Sequence, residues 1–238
     1  MAYNGDIKFK GTSSKSYPLT ITTPPQITHP EIITEEYTIP GRNGTLYGAD
    51  GYRASGTITV NMALVAAETW SNNVSAYATA YRQVRQWLQG TGKLIIADSP
   101  DAFYEVQKIY IATDERQILR YGNLQVVFTV YPYEFFTSGD TAVGAGTINN
   151  PGDEAAPLYK ITGNGSGTLT VNGKTMTYTV NGVLNIDVRR FIAYDGSGNN
   201  KNSVLTGDYE NLKLKPGANT VAATAGTLEV YPHWGVNL

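Results

Sequence analysis

The stretch Thr168–Val188, TLTVNGKTMTYTVNGVLNIDV, decides the fold class of this chain. Asn-Gly pairs at 172–173 and 181–182 divide it into three runs, and Asn-Gly favours a two-residue type I′ turn because that turn needs positive φ. Within each run the apolar residues recur at every second position, as on one face of a strand; they are Leu169, Val171, Met176, Tyr178, Val180, Leu184, Ile186 and Val188. The spacing predicts a three-stranded β-meander.

Most of the remaining sequence is also typical of β-structure. Short runs rich in Thr, Val, Ile and Tyr alternate with Gly, Asn, Asp and Pro, at a spacing typical of sandwiches and barrels. The run Leu124–Tyr131, LQVVFTVY, is almost continuously apolar, which predicts a strand buried on both faces. We therefore predict a mainly β protein.

One segment, Asn73–Gln89, departs from this pattern and predicts an amphipathic helix. Its apolar residues recur at steps of three and four, as on one face of a helix; they are Val74, Tyr77, Tyr81, Val84 and Leu88. Ser71 and Asn72 are candidate N-cap residues, and Gly90 is a candidate C-terminal stop. We expect this helix to pack one apolar stripe against a sheet.

The segment Ser138–Asn150, SGDTAVGAGTINN, marks the best candidate for a domain boundary. It has few bulky apolar residues and separates a helix-containing part from a purely β part. A chain of 238 residues allows one large or two small domains. We predict an N-terminal domain at 1–138, a linker at 139–147 and a C-terminal domain at 148–238.

Composition excludes several functional classes. Eighteen Lys and Arg residues against 20 Asp and Glu residues give a net charge of −2, which argues against a protein that grips nucleic acid through its phosphates. The absence of cysteine excludes disulfides, thiolate nucleophiles and cysteine-based zinc sites. The opening residues lack the pattern of a secretory signal, and no apolar run approaches the ~18 residues that cross a bilayer. We expect a protein made in a cytoplasm without membrane insertion.

Candidate chemical motifs have simpler structural interpretations. His29 and His233 lie beside prolines without a second histidine at metal-ligand spacing, so we interpret both as ordinary histidines. Gly163–Gly167, GNGSG, precedes a predicted strand rather than a helix, which favours a flexible turn over a phosphate-binding loop. Asp195–Asn199, DGSGN, lacks the spacing of a calcium loop and is also interpreted as a turn.

Clustered acids and aromatics give no clearer indication of a site. The acids could form a glycosidase pair, but clustering on turns is also what solvation produces; they are Glu35, Glu36, Asp98, Asp101 and Glu105. The aromatics Tyr133, Phe135, Phe136 and Trp234 are interpreted as core residues rather than a sugar-stacking platform. We therefore predict no catalytic, metal-binding or cofactor-binding residue, no cofactor and no enzymatic activity.

Several segments, in order along nearly the whole chain, resemble the distal tail (Dit) proteins of long-tailed, non-contractile bacteriophages. The opening IKFKG is followed by a strand and the turn Ile39–Gly44, IPGRNG. The single helix and the closing FTVYPYEFF of the first part continue the similarity. In the second part, NIDVRRFIAYDGSGNN and the Leu-x-Pro-Gly-x-Asn turn at 214–219 agree as well. Each motif alone is weak, and their order carries the resemblance.

The resemblance implies a structural virion protein, a baseplate hub at the tail tip. Dit proteins form a ring, typically a hexamer, through a β-sandwich N-terminal domain with one helix, and carry a galectin-like β-sandwich at the C-terminus. The ring joins the tail tube to the tail-tip protein and, in many phages, to receptor-binding proteins, and DNA leaves through its centre. The implied location is the virion tail tip, after assembly in the host cytoplasm.

Two questions stay open in this interpretation. A carbohydrate-binding module that contacts the host cell wall is the alternative function, and an exposed Tyr194 or Trp234 would favour it. No long insertion interrupts the predicted C-terminal domain, so we expect a minimal hub that leaves host recognition mainly to a partner. The segments 13–30 and 41–55 are candidate ring interfaces, although an ordinary surface loop explains each of them equally well.

Overall fold

A computed structural model describes residue 3 and residues 5–65, 74–118 and 121–238. The chain divides into two compact units, Met1–Glu134 with Leu238, and Phe135–Asn237. Each unit has its own hydrophobic core. The described residues form mainly β-strands and contain a single α-helix, which lies in the first unit. The predicted fold class is confirmed at this level.

The first unit is built on one sheet, with strand order β2-β1-β8-β9-β10-β7-β3 and with β4 also paired to β7. Two further strands, β5 and β6, pair only with each other. The elements in chain order are β1 (Ile7–Phe9), β2 (Thr12–Ser13), β3 (Leu19–Ile21), β4 (Gln26–Thr28), β5 (Ile32–Tyr37), β6 (Leu46–Arg53), β7 (Gly56–Val65), α1 (Val74–Trp87), β8 (Gly92–Ile96), β9 (Ser99–Ile118) and β10 (Tyr121–Phe136).

The antiparallel pair β7–β10 forms the centre of this sheet, in register from Tyr121 opposite Val65 to Val130 opposite Gly56. Alternate side chains of the two strands enter the core; they are Ile58, Val60, Met62, Leu64, Leu124, Val126, Phe128 and Val130. The other face carries buried Ala63 and Val127 beside half-buried Gln125 and Thr129. The predicted burial on both faces is therefore found at Val127 and is only partial at Gln125 and Thr129.

Helix α1 packs its apolar stripe on the first core, as predicted. Tyr77 and Val84 are buried, and Trp87 donates a hydrogen bond from Nε1 to the carbonyl oxygen of Phe9 at 3.3 Å. The helix ends at Trp87 rather than Gln89, and Gly90 follows with φ +77°. The N-terminal residue of the predicted helix, Asn73, and both N-cap candidates lie outside the described residues. No helix in the described ranges is long and apolar enough to cross a membrane.

The second unit contains a sheet with strand order β11-β18-β13-β14-β15, in which β17 also pairs with β13, β12 pairs with β17, and β16 pairs with β14. Residues 139–147, predicted as a linker, contain β11 and the start of β12, and the units divide after Glu134. The strands are β11 (Val143–Gly144), β12 (Gly146–Asn150), β13 (Leu158–Val171), β14 (Lys174–Asp187), β15 (Ile192–Asp195), β16 (Leu205–Thr206), β17 (Gly217–Ala223), β18 (Thr227–Tyr231) and β19 (Gly235–Asn237).

The predicted meander is a long hairpin instead. Asn172 and Gly173 have φ values of +50° and +80°, as the type I′ turn requires, and join β13 to β14. The second Asn-Gly pair, Asn181–Gly182, is not a turn, because β14 continues through it to Asp187. The glycine-rich segment Gly163–Gly167, predicted as a turn, likewise lies inside β13.

Gly163 and Gly182 lie at the point along the hairpin where β13 changes from one partner strand to another. Gly182 pairs with Gly163, and both have positive φ, at +85° and +156°. N-terminal to this point β13 pairs with β18, and C-terminal to it with β17. A Cβ at Gly163 would lie 2.8 Å from the Cα of Gly226, so the backbones approach too closely for a side chain. Glycine therefore permits a tight turn at Gly173 and a close approach of two backbones at Gly163.

Asn219 ties two turns of the second unit together. It is 1% exposed, and its Nδ2 donates to the carbonyl oxygens of Lys215 and Gly217 at 2.7 and 2.8 Å. Its Oδ1 accepts from Lys215 N at 2.9 Å and from Asn172 Nδ2 at 2.7 Å. The last residue of the Leu-x-Pro-Gly-x-Asn motif thus holds its own turn and the β13–β14 turn.

We expect Asn219→Ala to destabilise the second unit by about 1–3 kcal/mol, because buried donors and acceptors lose their partner. Denaturant unfolding of the variant and the wild type measures the difference. Asn149→Ala is the matched control, since Asn149 is exposed on the neighbouring strand and should change stability by less than about 0.5 kcal/mol. Equal stability of the two variants would contradict this role of Asn219.

Candidate functional site

The first unit carries a two-stranded arm, defined here as residues 31–53. Its strands β5 and β6 are antiparallel, with Tyr37 opposite Leu46, and they belong to neither sheet. Every residue from 31 to 47 is exposed. At its base the arm is closed by a hydrogen bond from Ala54 N to Glu31 O at 3.3 Å. The arm therefore lacks the covered face that the strands of both sheets have.

The arm is unusually rich in exposed apolar side chains. They include Tyr47 at 66% and Tyr52 at 72% exposure; the others are Ile32, Ile33, Tyr37, Ile39 and Leu46. Elsewhere in the described ranges, only Tyr110 and Phe191 are large apolar residues with comparable exposure. An isolated two-stranded hairpin is marginally stable in water, and a large exposed apolar patch marks an interaction site. The arm is the strongest candidate for a functional surface.

Turn chemistry shapes the tip of the arm. Within the IPGRNG segment, Arg42 N donates to Ile39 O at 3.2 Å, and Gly41 and Gly44 have φ values of +83° and +89°. Only glycine adopts this left-handed region without steric cost, so the motif closes the arm. Further down the arm, the Tyr37 hydroxyl donates to a carboxylate oxygen of Glu35, which raises the pKa of that hydroxyl.

The two segments predicted as possible interfaces have different structures. Residues 41–55 contain the tip of the arm and β6, in agreement with an arm. Residues 13–30 are not an irregular arm, because they include β3 and β4, which both pair with β7 of the sheet. This segment is rich in Thr and contains Pro, and its two strands have three residues each. Strands of this length are too short to show a clear alternation of apolar and polar residues.

Two of the candidate acids take part in local hydrogen bonds, and two others lie on the arm. Asp98 accepts a hydrogen bond from the Tyr3 hydroxyl at 3.0 Å, and burial together with this bond raises the pKa of Tyr3 to about 12. Ser99 Oγ donates to Asp101 at 3.5 Å, whereas Glu35 and Glu36 lie on the arm. In the part of the chain that the structure describes, no group of three or more His, Asp or Glu residues could hold a metal ion.

A cavity of about 370 Å³ in the first unit is lined by neutral residues. Its polar side chains include Asn61 and Gln125, joined by a 3.1 Å hydrogen bond from Gln125 Nε2 to Asn61 Oδ1. The remaining lining residues are Thr22, Met62, Thr113, Tyr121, Asn123 and Leu124. No carboxylate, imidazole, lysine or arginine is among them.

Within the described ranges, neither histidine belongs to a group of three or more His, Asp or Glu residues that could hold a metal ion. His29 is exposed on the segment before β5. His233 is half-buried, and its backbone N–H donates to Gly139 O at 3.0 Å.

The aromatic residues give little support to a sugar platform. Trp234 is 9% exposed and donates from Nε1 to Ser138 Oγ at 2.9 Å, and Tyr194 is half-buried. Tyr133 and Phe135 are buried, as predicted. Phe191, which no alternation or motif in the sequence distinguishes from a core residue, is 48% exposed.

The Asp195–Asn199 segment forms a closed turn rather than an open cation loop. Asp195 Oδ1 accepts backbone hydrogen bonds from Ser197 and Asn199, each at 2.9 Å, and Oδ2 accepts from Asn199 Nδ2 at 3.0 Å. Lys201 Nζ lies 3.6 Å from Oδ2. The bonds from Asn199 contribute most to a lowered Asp195 pKa of about 2.

We expect Asn199→Ala to raise the Asp195 pKa towards its unperturbed value of 3.8, because the ionised carboxylate loses its side-chain donor. In the wild type, the stabilisation from this carboxylate is present above pH 3.8 and is lost as the pH falls towards about 2. A carboxyl-carbon NMR titration measures the pKa. Asn200→Ala, which removes the adjacent amide but keeps these bonds, is the control and should leave the pKa unchanged.

Comparison with known proteins identifies the fold. The sequence matches no family model and no curated protein. The structure matches the crystal structure of the SPP1 Dit protein (gp 19.1), which is described as a paradigm of the hub adsorption apparatus of phages that infect Gram-positive bacteria. The TM-score is 0.71 at 14% sequence identity, over 95% of this chain and 97% of that chain. The resemblance to distal tail proteins is thereby confirmed at the level of the fold.

Proposed function

We propose that this chain, which has the fold of a phage adsorption hub, is itself a structural distal tail protein of a phage. Copies of the chain form a hexameric ring, which joins the tail tube to the tail-tip apparatus. The chain acts as a scaffold and catalyses no reaction. It resides at the tail tip of the virion, after assembly in the host cytoplasm.

The observation that carries this proposal is the extent of the structural match. The match covers 95% of this chain and 97% of the SPP1 hub protein. Both units of this chain are therefore included in the match, and few residues of either protein lie outside it. At 14% identity the agreement lies in the architecture rather than in individual side chains. A role that rests on shape and assembly, rather than on a few reactive groups, fits such a match.

The exposed arm supports assembly into a ring. A closed ring is built from head-to-tail contacts, in which one surface of a copy meets a different surface of the next. Such contacts need at least one surface that is unsatisfied in the isolated chain. The apolar residues of the arm supply that surface, because water covers them in the single copy.

The charge distribution supports a passage for DNA. The face of the β7–β10 pair opposite the core carries only neutral side chains, of which Ala63 and Val127 are buried and the others half-buried; they are Thr57, Thr59, Asn61, Ala63, Asn123, Gln125, Val127 and Thr129. We assign this face to the ring lumen. Since the chain has a net charge of −2 and this face has no cation, it offers phosphates no strong binding site, and a polyanion can move past it.

The second unit is assigned to contacts with the rest of the tail tip. It is a compact β unit with its own core, and we propose that it has the galectin-like sandwich form of the Dit family. The tail-tip protein and a receptor-binding protein are the proposed partners of the hub on the distal side, and the tail tube protein is the partner on the other. Because Trp234 is buried, host recognition is assigned to a partner rather than to this unit.

We expect the purified chain to form hexameric rings. Light scattering over a range of concentrations measures the absolute mass, and negative-stain images of the same fractions show the particle shape. A particle of six copies with a central opening is the expected result. A chain that stays monomeric, both alone and with its tail tube and tail-tip proteins, would contradict the proposal.

A further inference from the structure

We propose that Asn43, at the tip of the arm, is a site of spontaneous covalent modification. Its side-chain amide is lost as ammonia, and an aspartate or an isoaspartate takes the place of the asparagine. The reaction needs no enzyme, since the backbone of the following glycine supplies the nucleophile and water is the co-reactant. This inference goes beyond the proposed function and does not depend on the ring.

Asn-Gly pairs favour this reaction because glycine has no side chain. The backbone nitrogen that follows the asparagine can then approach the amide carbon without steric hindrance. The sequence contains five such pairs, which begin at residues 4, 43, 164, 172 and 181. Asn4 lies outside the described residues. The structure distinguishes the other four pairs by what restrains each amide and each attacking nitrogen.

The reaction has two steps and consumes one water molecule. The backbone nitrogen of Gly44 loses its proton to hydroxide and attacks Cγ of Asn43. A C–N bond forms, and the amide nitrogen takes up a proton and leaves as ammonia, which closes a succinimide ring. Water then opens the ring at one of its two carbonyl carbons. Cleavage at the side-chain carbonyl gives aspartate, whereas cleavage at the main-chain carbonyl gives isoaspartate.

Nothing in the described chain restrains the pair Asn43–Gly44. Both residues are exposed, and within the described ranges no hydrogen bond involves the Asn43 amide or the Gly44 backbone nitrogen. A Cβ at Gly44 would meet no atom within 4 Å, so there is space for the succinimide ring. The hydrogen-bonded turn from Ile39 to Arg42 ends before the pair, and β6 begins after it at Leu46.

The pair Asn172–Gly173 has the same dipeptide sequence but is restrained by two hydrogen bonds. Asn172 Nδ2 donates to Asn219 Oδ1 at 2.7 Å, and Asn172 Oδ1 accepts from Thr220 N at 2.9 Å. The Asn172 amide must break both bonds before it can fold back over the nitrogen of Gly173. Because Asn219 is only 1% exposed, its oxygen would lose a partner that water cannot easily replace.

One hydrogen bond restrains the two remaining pairs together. Gly182 N donates to Asn164 Oδ1 at 3.2 Å. This bond engages the nitrogen that would attack in the pair 181–182 and the amide that would be attacked in the pair 164–165. Both pairs also lie in the β13–β14 ladder, where Asn164 is opposite Asn181. The fold therefore leaves Asn43 as the most reactive asparagine among the four described pairs.

The modification changes both the charge and the shape of the arm tip. The new carboxylate lies next to Arg42, which is the only cation between residues 31 and 47. An isoaspartate also adds a methylene group to the main chain beside Gly44, whose φ of +89° belongs to the turn at the tip. An aged copy of the chain thus differs from a newly made copy at the tip of its arm.

Peptide mapping by mass spectrometry, during incubation of the purified native chain at neutral pH, measures the conversion at each pair. We expect Asn43 to react at least about tenfold faster than Asn172, because the Asn172 amide must first break its bonds. Isoaspartate should be among the products, since the succinimide route yields it and direct hydrolysis of the amide does not. The rate at Asn43 should rise with pH, because hydroxide generates the nucleophile. Equal rates at Asn43 and Asn172, or a faster reaction at any other described pair, would overturn the proposal.

Denaturant provides the control for the role of the fold. In the unfolded chain the rates at Asn43 and Asn172 should agree within about twofold, because each asparagine precedes a glycine and neither is restrained. If the native difference persists in denaturant, local sequence rather than structure sets the rates, and the proposal is wrong.

The variant Asn43→Gln is the control for the assignment of the site. It keeps an amide at an exposed position, but its reaction would have to close a larger, six-membered ring. Isoelectric focusing of the wild type should show an acidic species that grows with time, and this species should be absent from the variant. Circular dichroism checks that the variant folds as the wild type does. An acidic species that grows equally fast in both proteins would place the reaction elsewhere and overturn the proposal.

Discussion

A β-strand is stable in water only when at least one face is covered, and this constraint organises the whole molecule. In the first unit the β7–β10 pair buries alternate side chains under α1 and the neighbouring strands. In the second unit the long β13–β14 hairpin meets the constraint by burying alternate side chains in the second core, while β18 and β17 pair with β13 on either side of its glycines. The arm is the one described β element that leaves the constraint unmet within the chain, and its proposed role in assembly rests on that.

Several polar side chains of the described residues stabilise local structure. Asp195 closes its own turn, Asn219 joins two turns, and Asp98 holds the hydroxyl of Tyr3. Polar side chains used in this way stabilise a scaffold, whereas a catalytic centre needs perturbed groups that converge on a cleft. The surface that remains unsatisfied is apolar and charged, which suits the contact of one protein with another.

Local signals in the sequence predicted well wherever a few neighbouring residues determine the structure. The turn at Asn172–Gly173 and the apolar stripe of α1 are of this kind. The identical dipeptide at Asn181–Gly182 misled, because its conformation depends on Gly163, which pairs with Gly182 across the hairpin and lies nineteen positions before it in the chain. The exposure of the arm was equally hidden, since IITEEY at 32–37 has no alternation that distinguishes a buried face from an open one. The first error arises from a contact between residues that are distant in the sequence. The second arises because no other part of the described chain covers the arm.

Cross-linking through introduced cysteines tests the central claim most directly, because the natural chain contains none. Thr38→Cys places a single thiol on the exposed arm without removing any charge. A maleimide photo-cross-linker attached at this thiol should join neighbouring copies into a ladder that ends at six, because the arm contacts the next copy in the ring. Labelled protein that forms rings but yields no cross-linked species would contradict the account.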